Sequence, residues 1–141
     1  MTGIFKAYDI RGIVPEQLDE VLAQKIGYSF TLELQAKKIA VGNDMRVSAD
    51  KIKGAFIEGV TAAGADVYDL GMCSTPFTYF ASGALDVDGS AMVTASHNPQ
   101  EYNGFKFSRS EARPVSYETG IANIEKRVEE LDSVLESTGK V

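Results

Sequence analysis

The sequence predicts an α/β domain of three layers, with helices on both faces of a mixed β-sheet. Short apolar segments of strand character alternate along the 141 residues with amphipathic segments, and each of these is about ten residues long or more. A hairpin-like segment at 102–109 adds a strand of opposite direction and makes the predicted sheet mixed. A chain of this length buries a core without disulfides or metal ions, so we predict one domain over residues 1–141.

The first half of the chain predicts two helices with a strand between them. Apolar residues at helical spacing indicate a helix from Pro15 to about Leu34, with Pro15 in its first turn. The segment KKIAVGND follows as a short buried strand that ends at Gly42. Ser48 is the predicted cap of a second helix that runs through Ala63.

The second half predicts three more strands and two more helices. ADVYDLG, at 65–71, has strand character, and Thr75-Pro76 resembles a cap with a first-turn proline that opens a helix to about residue 85. GSAMVTAS is the third clear strand and FKFSR is a shorter fourth. Apolar residues at helical spacing predict a last helix over 117 to about 137.

Composition excludes several classes of function. The formal net charge of −6 argues against a nucleic-acid or anionic-membrane surface, because both need a net basic face. No apolar run approaches the roughly 20 residues that span a bilayer, and the N-terminus lacks the apolar core of a signal peptide. The single cysteine, Cys73, cannot form an internal disulfide and has no basic neighbour, so we expect a small, partly buried, unreactive thiol in a cytoplasmic protein.

Three polar loops follow predicted strands and mark one edge of the sheet as the binding edge. VGNDMR, LGMCSTP and VTASHNP each stand where a strand ends, and ligands of such sheets gather beyond the carboxyl ends of the strands.

The stretch TASHNPQEYNGFK, residues 94–106, carries the residues with the most chemistry. Ser96 and His97 are neighbours, whose side chains diverge, so a serine-hydrolase pair is disfavoured, and no G-x-S-x-G elbow is present. A serine on a polar turn suits a hydroxyl that carries a phosphoryl group, because phosphoryl transfer needs mainly positioning and positive charge. Lys106 and Arg11 are the candidate charges, and Gly104 permits close approach of the backbone.

Three ordered motifs together resemble one family. TASHNPQEYNGFK resembles the active-site loop of the α-D-phosphohexomutases, the phosphoglucomutase/phosphomannomutase superfamily, and FKAYDIRG at 5–12 resembles the N-terminal motif of its bacterial branch. VGNDMRVS is similar to the family pattern V-G-R-D-x-R-x-S, with Asn43 in place of the arginine, and Ala49 replaces a common serine. The resemblance covers the whole chain as the first of four domains and implies a fold of the phosphohexomutase domain I type.

The resemblance implies a mutase that interconverts hexose 1-phosphate and hexose 6-phosphate of mannose, glucose or both. Ser96 corresponds to the serine that is phosphorylated in the resting enzyme and gives its phosphoryl group to the sugar, forming a hexose 1,6-bisphosphate. Mg²⁺ is implied as cofactor, bound by an oxygen of phosphorylated Ser96 and by three aspartates of a second domain. The implied partners are hexose phosphates and the remaining domains of the enzyme, without which we expect this chain to be inactive.

The resemblance also assigns roles to other positions. Lys106 corresponds to a lysine in acid/base or charge-stabilising work, Arg11 and Tyr8 to residues that line the site, and His97 to a neighbour of the serine. We predict catalytic roles for Ser96, Lys106, Arg11 and His97, and substrate-binding roles for Tyr8, Asn98 and Asn103.

Simpler interpretations stand beside these. Ser96 can be a turn hydroxyl, His97 a loop tether, Lys106 a solvated edge-strand lysine, Arg11 an ion-pair partner of Asp9, and Tyr8 a packing residue. The alternative for the whole domain is a non-catalytic phosphosugar-binding or interaction module that retains the loop. Phosphoglucosamine mutase is disfavoured within the family, because its N-terminus usually reads closer to G-T-D-G-I-R-G.

Other conspicuous residues are predicted to be structural. Asp44 and Arg46 are expected to form an ion pair near the site. Asp86 and Asp88 superficially resemble a metal loop but fail the EF-hand pattern, so we predict a polar turn. Aromatic residues of the third helix are predicted to pack in the core; these are Phe77, Tyr79 and Phe80.

Overall fold

A computed structural model describes residues 3–132 and 140–141. In those ranges, six strands form one mixed sheet in the order β1-β5-β4-β2-β3, and β6 pairs with β5. The elements are β1 (Ile10–Ile13), α1 (Glu20–Leu34), β2 (Lys38–Asn43), α2 (Ala49–Ala62), β3 (Asp66–Met72), α3 (Thr75–Ala84), β4 (Gly89–Val93), β5 (Tyr102–Arg109), β6 (Arg113–Pro114) and α4 (Ala122–Glu130). β2 runs parallel to β3 and β4, whereas β5 runs antiparallel to β1, β4 and β6, which confirms the mixed sheet.

One face of the sheet is covered by α1 and α2 through a cluster of aromatic rings. Phe30 of α1 stacks on Phe107 of β5 with 4.2 Å between ring centroids, and Phe56 of α2 stacks on Phe105 at 4.8 Å. All four rings are buried, and burying each contributes about 1.5–3 kcal/mol. The aromatic residues that alternate along β5 therefore anchor both helices to the sheet.

The opposite face is covered by α3, so the predicted three layers are confirmed. Along β4, Ala91 and Val93 belong to the core beneath α1 and α2, and Met92 between them points the other way. Thr78 of α3 meets Met92 there, with its Oγ1 at 3.2 Å from the sulfur.

The three predicted polar loops lie at one edge, as the sequence analysis expected. The parallel strands end at Asn43, Met72 and Val93, which are aligned by the register of the sheet. β5 begins at the same edge with Tyr102, because it runs in the opposite direction.

The first helix begins five residues later than the sequence predicted. Leu18 is fully buried, and its N–H donates to the Ile13 carbonyl within a turn that follows β1. The Val14-Pro15 peptide bond is cis. Asp19 caps α1 by accepting from the Leu22 N–H at 2.8 Å, so helical structure starts only at Glu20.

The capping residues of the next two helices also differ from prediction. Ser48 precedes α2 but makes no side-chain cap; its hydroxyl accepts from the Asn103 amide at 2.9 Å instead. Ser74, not Thr75, caps α3, because its hydroxyl accepts from the Phe77 N–H at 3.2 Å.

Two of the three aromatic residues assigned to the core are on the surface. Phe77 is 46% exposed and Phe80 is 68% exposed, whereas Tyr79 is half-buried. The buried face of α3 consists of small and hydroxyl side chains, among them Thr78 and Ala81, which leaves the two phenylalanine rings on the outer face, 6.4 Å apart.

The remaining differences concern strand content and the last helix. β1 and β6 were not predicted, and β5 is longer than FKFSR. The last helix begins with a π-type turn at Tyr117–Ile121 and continues as α4 to Glu130. The predicted extension to about 137 falls largely on residues 133–139, outside the described residues. No helix in the described ranges is long and apolar enough to cross a membrane.

Candidate active site

Ser96 is the third residue after β4 and is exposed to solvent in an unusual backbone conformation. Its φ of 54° lies in the left-handed region, and its side chain is exposed. A non-glycine residue held in a sparsely populated backbone region costs on the order of 1–3 kcal/mol and persists only where its surroundings enforce it. The conformation is therefore an enforced feature of the loop.

Arg46 enforces the path of this loop. Its guanidinium donates to four carbonyl oxygens of the segment: Ser96 at 2.7 Å, Asn98 at 2.8 Å, Pro99 at 2.7 Å and Tyr102 at 3.1 Å. The planar, multiply donating guanidinium suits this task, which a lysine could not perform.

Asp44 completes this arrangement and confirms the predicted ion pair. Its carboxylate accepts from Arg46 Nε at 3.3 Å and from the Arg46 N–H at 3.1 Å. The sequence indicated the ion pair but not the bonds from Arg46 to the loop carbonyls, because these acceptors lie some fifty residues away in the chain.

Arg11 brings the N-terminal motif to the serine loop. Its Nη1 donates to the Asn98 side-chain oxygen at 2.7 Å, and its Nε pairs with buried Asp9 at 3.0 Å. Arg11 therefore does both: it forms the ion pair with Asp9 and it contacts the serine loop. β1 carries Arg11 opposite Gly104 of β5, where an added Cβ would lie 1.8 Å from the Ile10 carbonyl oxygen.

Lys106 lies in the middle of the sheet and not on an edge strand. β5 is flanked by β1 and β4, and Lys106 is paired with Met92. It alternates with Phe105 and Phe107 and so faces the α3 side, as does Arg11 opposite Gly104. Over residues 3–132 and 140–141, no hydrogen bond or ion pair is recorded for the Lys106 ammonium, which is half-buried.

Tyr79 of α3 adds a phenol near this region. Burial raises the pKa of Tyr79, and the negative charge of Asp9 raises it further. The Tyr79 hydroxyl therefore stays protonated at neutral pH and remains a hydrogen-bond donor on the side of Asp9.

The other predicted site residues divide into exposed and buried. Tyr8 is 78% exposed and His97 is exposed, so both are open to a ligand. Asn103 is fully buried, donating to Ser48 and accepting from the Gly104 N–H at 2.9 Å. The structure thus brings Ser96, Arg11 and Asn98 together and does not bring Asn103 to their surface.

The described residues do not by themselves fit a magnesium ion. Over 3–132 and 140–141, no group of three or more His, Cys, Asp or Glu side chains is close enough to hold a metal. Asp9 and Asp44 are each paired with an arginine that contacts the loop, Asp9 with Arg11 and Asp44 with Arg46. Asp88 accepts from the Lys37 and Lys38 N–H groups and Asp86 pairs with Lys38 at 3.8 Å, as expected for a polar turn.

The sequence of residues 2–135 matches the family described as "Phosphoglucomutase/phosphomannomutase, alpha/beta/alpha domain I". The chain belongs to this family.

Curated relatives and solved structures agree with the family. A phosphomannomutase of Escherichia coli is 45% identical over 132 residues, which are 94% of this chain and 29% of the relative. A phosphomannomutase of Klebsiella pneumoniae is 45% identical over 126 residues, 89% of this chain and 80% of the relative. The crystal structure of a phosphoglucomutase/phosphomannomutase family protein from Burkholderia thailandensis superposes with a TM-score of 0.87 at 37% identity, covering 99% of this chain and 32% of the other.

These comparisons confirm the predicted family and the domain I fold. The chain spans less than a third of the length of the Escherichia coli relative and of the Burkholderia protein. What the whole enzyme does, and the role of each site residue, are therefore matters of proposal.

Proposed function

We propose that this chain is the first domain of a cytoplasmic, multi-domain mutase that interconverts hexose 1-phosphate and hexose 6-phosphate through a phosphoserine at Ser96. The observation that carries the proposal is the exposed Ser96, held in a left-handed conformation by a loop that Arg46 and Arg11 fasten to the sheet. A hydroxyl fixed at the binding edge, with cations behind it, suits phosphoryl transfer, which depends on positioning and charge. The names of the relatives make mannose 1-phosphate the first substrate to test.

In the proposed reaction, a sugar hydroxyl oxygen attacks the phosphorus carried on the Ser96 oxygen. The new O–P bond forms as the bond from phosphorus to the serine oxygen breaks, and the product is a hexose 1,6-bisphosphate. The proton of the sugar hydroxyl ends on the departing Ser96 oxygen. Lys106 moves this proton or stabilises the transferred charge, and Arg11 holds the loop through Asn98 and adds positive charge. In the second half, the serine oxygen takes the other phosphoryl group, so the enzyme returns to its starting state.

The remaining assignments complete the proposed site. His97 takes a catalytic part beside Ser96, Tyr8 and Asn98 contact the substrate, and Asn103, which is buried, supports the loop base from within the domain. Mg²⁺, when bound, supplies a Lewis acid at the phosphoserine. Since the described residues offer no carboxylate set for it, its other ligands belong to a second domain.

The test is the Ser96→Ala variant in the complete enzyme, assayed with mannose 1-phosphate, glucose 1-phosphate, Mg²⁺ and added hexose 1,6-bisphosphate. We expect turnover to fall by at least about 10³-fold, because the variant has no oxygen to carry the phosphoryl group. Ser110→Ala is the matched control, since Ser110 follows the far end of β5, at the opposite edge of the sheet, and it should keep wild-type turnover. Ser96→Ala with near wild-type turnover would refute the nucleophile. Absence of turnover in the unaltered complete enzyme would favour the non-catalytic phosphosugar-binding alternative.

A further inference from the structure

Both backbone polar groups of Ser96 are held by side chains that converge on one carboxylate. The Ser96 N–H donates to Thr94 Oγ1 at 3.0 Å, and the Thr94 hydroxyl donates to Asp44 Oδ2 at 2.7 Å. The Ser96 carbonyl accepts from Arg46 Nη2 at 2.7 Å, and Arg46 Nε pairs with the same Asp44 oxygen at 3.3 Å. We call these four residues, Asp44, Thr94, Ser96 and Arg46, the serine ring.

The direction of each hydrogen bond in the ring is fixed by chemistry. A carboxylate only accepts, so the Thr94 hydroxyl has to donate its one proton to Asp44. Its lone pairs are then free to accept from the Ser96 N–H. Thr94 is buried, so a side chain without the hydroxyl would leave the Ser96 N–H without its side-chain acceptor, while Asp44 Oδ2 would keep its contact with Arg46 Nε.

Thr94 and Arg46 have separable effects on the loop. Arg46 also binds the carbonyls of Asn98, Pro99 and Tyr102, and so fixes the course of the whole segment. Thr94 makes the one side-chain contact recorded for the Ser96 N–H in the described part of the chain. Loss of the Thr94 hydroxyl therefore releases the Ser96 N–H, while Arg46 still holds the Ser96 carbonyl and the rest of the segment.

We propose that Thr94 and Asp44 are positioning residues for phosphoryl transfer, and this rests on the proposed function. They act through the backbone of Ser96: the ring holds its φ at 54°, and this conformation sets the direction of the Cα–Cβ bond and of the reacting oxygen. A residue in this region stays there only when its surroundings over-determine it. A reacting atom displaced by about 1 Å loses on the order of 100-fold in rate.

The kinetic test compares Thr94→Val, which removes the hydroxyl at nearly constant shape, with Thr94→Ser, which keeps it. In the complete enzyme we expect kcat of Thr94→Val to fall roughly 10- to 100-fold with KM within about threefold, and Thr94→Ser to stay within about threefold of wild type. Thr31→Val is the matched control, because Thr31 is also buried in α1 and its hydroxyl bonds only the Gly27 carbonyl among the described residues. A kcat for Thr94→Val within twofold of wild type, or an equal loss in Thr31→Val, would overturn the proposal.

A second measurement needs no variant. In the unaltered 141-residue chain, amide hydrogen exchange should show the Ser96 N–H protected by about 100-fold relative to an unstructured peptide, because this part-buried N–H is hydrogen-bonded to Thr94. Exchange of that amide at the unstructured rate would overturn the ring even if Thr94→Val failed to fold. Near wild-type turnover in Ser96→Ala would overturn the proposed function itself, whereas an unchanged kcat in Thr94→Val beside an inactive Ser96→Ala would overturn the positioning role alone.

Discussion

At the scale of single residues, the two cations of the site differ in what they can do. Arg11 donates to Asn98 and to Asp9, so it holds the loop in place and puts a positive charge beside it. Lys106, with no recorded partner over 3–132 and 140–141, keeps its ammonium available to a substrate from the α3 side of the sheet. A lysine ammonium can release a proton during a reaction, whereas an arginine guanidinium stays protonated in proteins.

Paired substitutions separate these roles. In the complete enzyme we expect Lys106→Arg to lose at least about 100-fold in kcat, because charge is kept and proton transfer is lost. Arg11→Lys keeps a cation and should lose about tenfold or less, since only its second hydrogen bond is given up. Steady-state kinetics with mannose 1-phosphate measures both. Equal, mild losses in the two variants would reduce Lys106 to an electrostatic role.

Asn43 shows how a departure from the family motif is accommodated. Its side-chain oxygen accepts from Lys53 at 2.8 Å, and the same ammonium pairs with Asp69 at 3.0 Å, which ties α2 to the end of β2 and to the middle of β3. Burial alone would raise the pKa of Asp69, but hydrogen bonds from the Gly71 N–H and from Lys53 lower it overall. A lysine from the next helix thus brings a cation to the Asn43 side chain, where the motif has an arginine.

The candidate site residues could be predicted from the sequence where they belong to local motifs. Ser96, its loop and the Asp44–Arg46 pair follow from contiguous motifs. The four carbonyl contacts of Arg46 and the burial of Asn103 depend on which strands become neighbours, and no local pattern contains that information.

At the scale of elements, α1 and α2 meet backbone to backbone. A Cβ on Gly27 would lie 2.1 Å from the Phe56 carbonyl oxygen, and a Cβ on Gly59 would lie 2.0 Å from the Gln24 carbonyl oxygen. The two glycines therefore permit a close crossing that seats Phe56 and Phe30 over the sheet. Gly54, also in α2, has no atom within 4 Å of an added Cβ.

This difference predicts opposite effects of the same substitution. Gly27→Ala should destabilise the 141-residue chain by at least about 2 kcal/mol, because the helices must move apart. Gly54→Ala should stabilise it by about 0.5–1 kcal/mol, because alanine favours the helix. Denaturant unfolding of both variants measures the two changes. A neutral Gly27→Ala would show that the helices do not cross so closely.

The existence of most elements was predictable, whereas their ends and outward faces were less so. Hydrophobic periodicity located α1, α2 and α4, and the Thr75-Pro76 pair located α3. It did not locate β1, whose four residues are too few to show a period, or the start of α1, which a turn and the Asp19 cap decide. On α3 the aromatic residues led to the wrong prediction of the buried face, because the residues that are buried there are small ones such as Ala81.

At the scale of the whole molecule, the domain has the core of a complete fold, whereas the proposed function divides the reaction site between this domain and others. Its aromatic cluster and its three layers are formed within residues 3–132. We therefore expect the 141-residue chain to melt cooperatively but to show no mutase turnover, since the proposed function assigns the groups that bind the distal phosphate and the metal to other domains. A thermal melt beside the mutase assay tests both statements. Sustained turnover by this chain alone would contradict the division of the site between domains.

The most direct measurement of the central claim follows the phosphoryl group on Ser96 itself. The complete enzyme is first phosphorylated with hexose 1,6-bisphosphate that carries labelled phosphate, and the excess donor is removed. The labelled enzyme is then mixed with unlabelled mannose 1-phosphate in a single turnover. The account predicts that peptide mass spectrometry finds the label on Ser96 and that it leaves this residue for the sugar as fast as bisphosphate or product appears. A label on another residue, or one that stays on Ser96 while product forms, would contradict it.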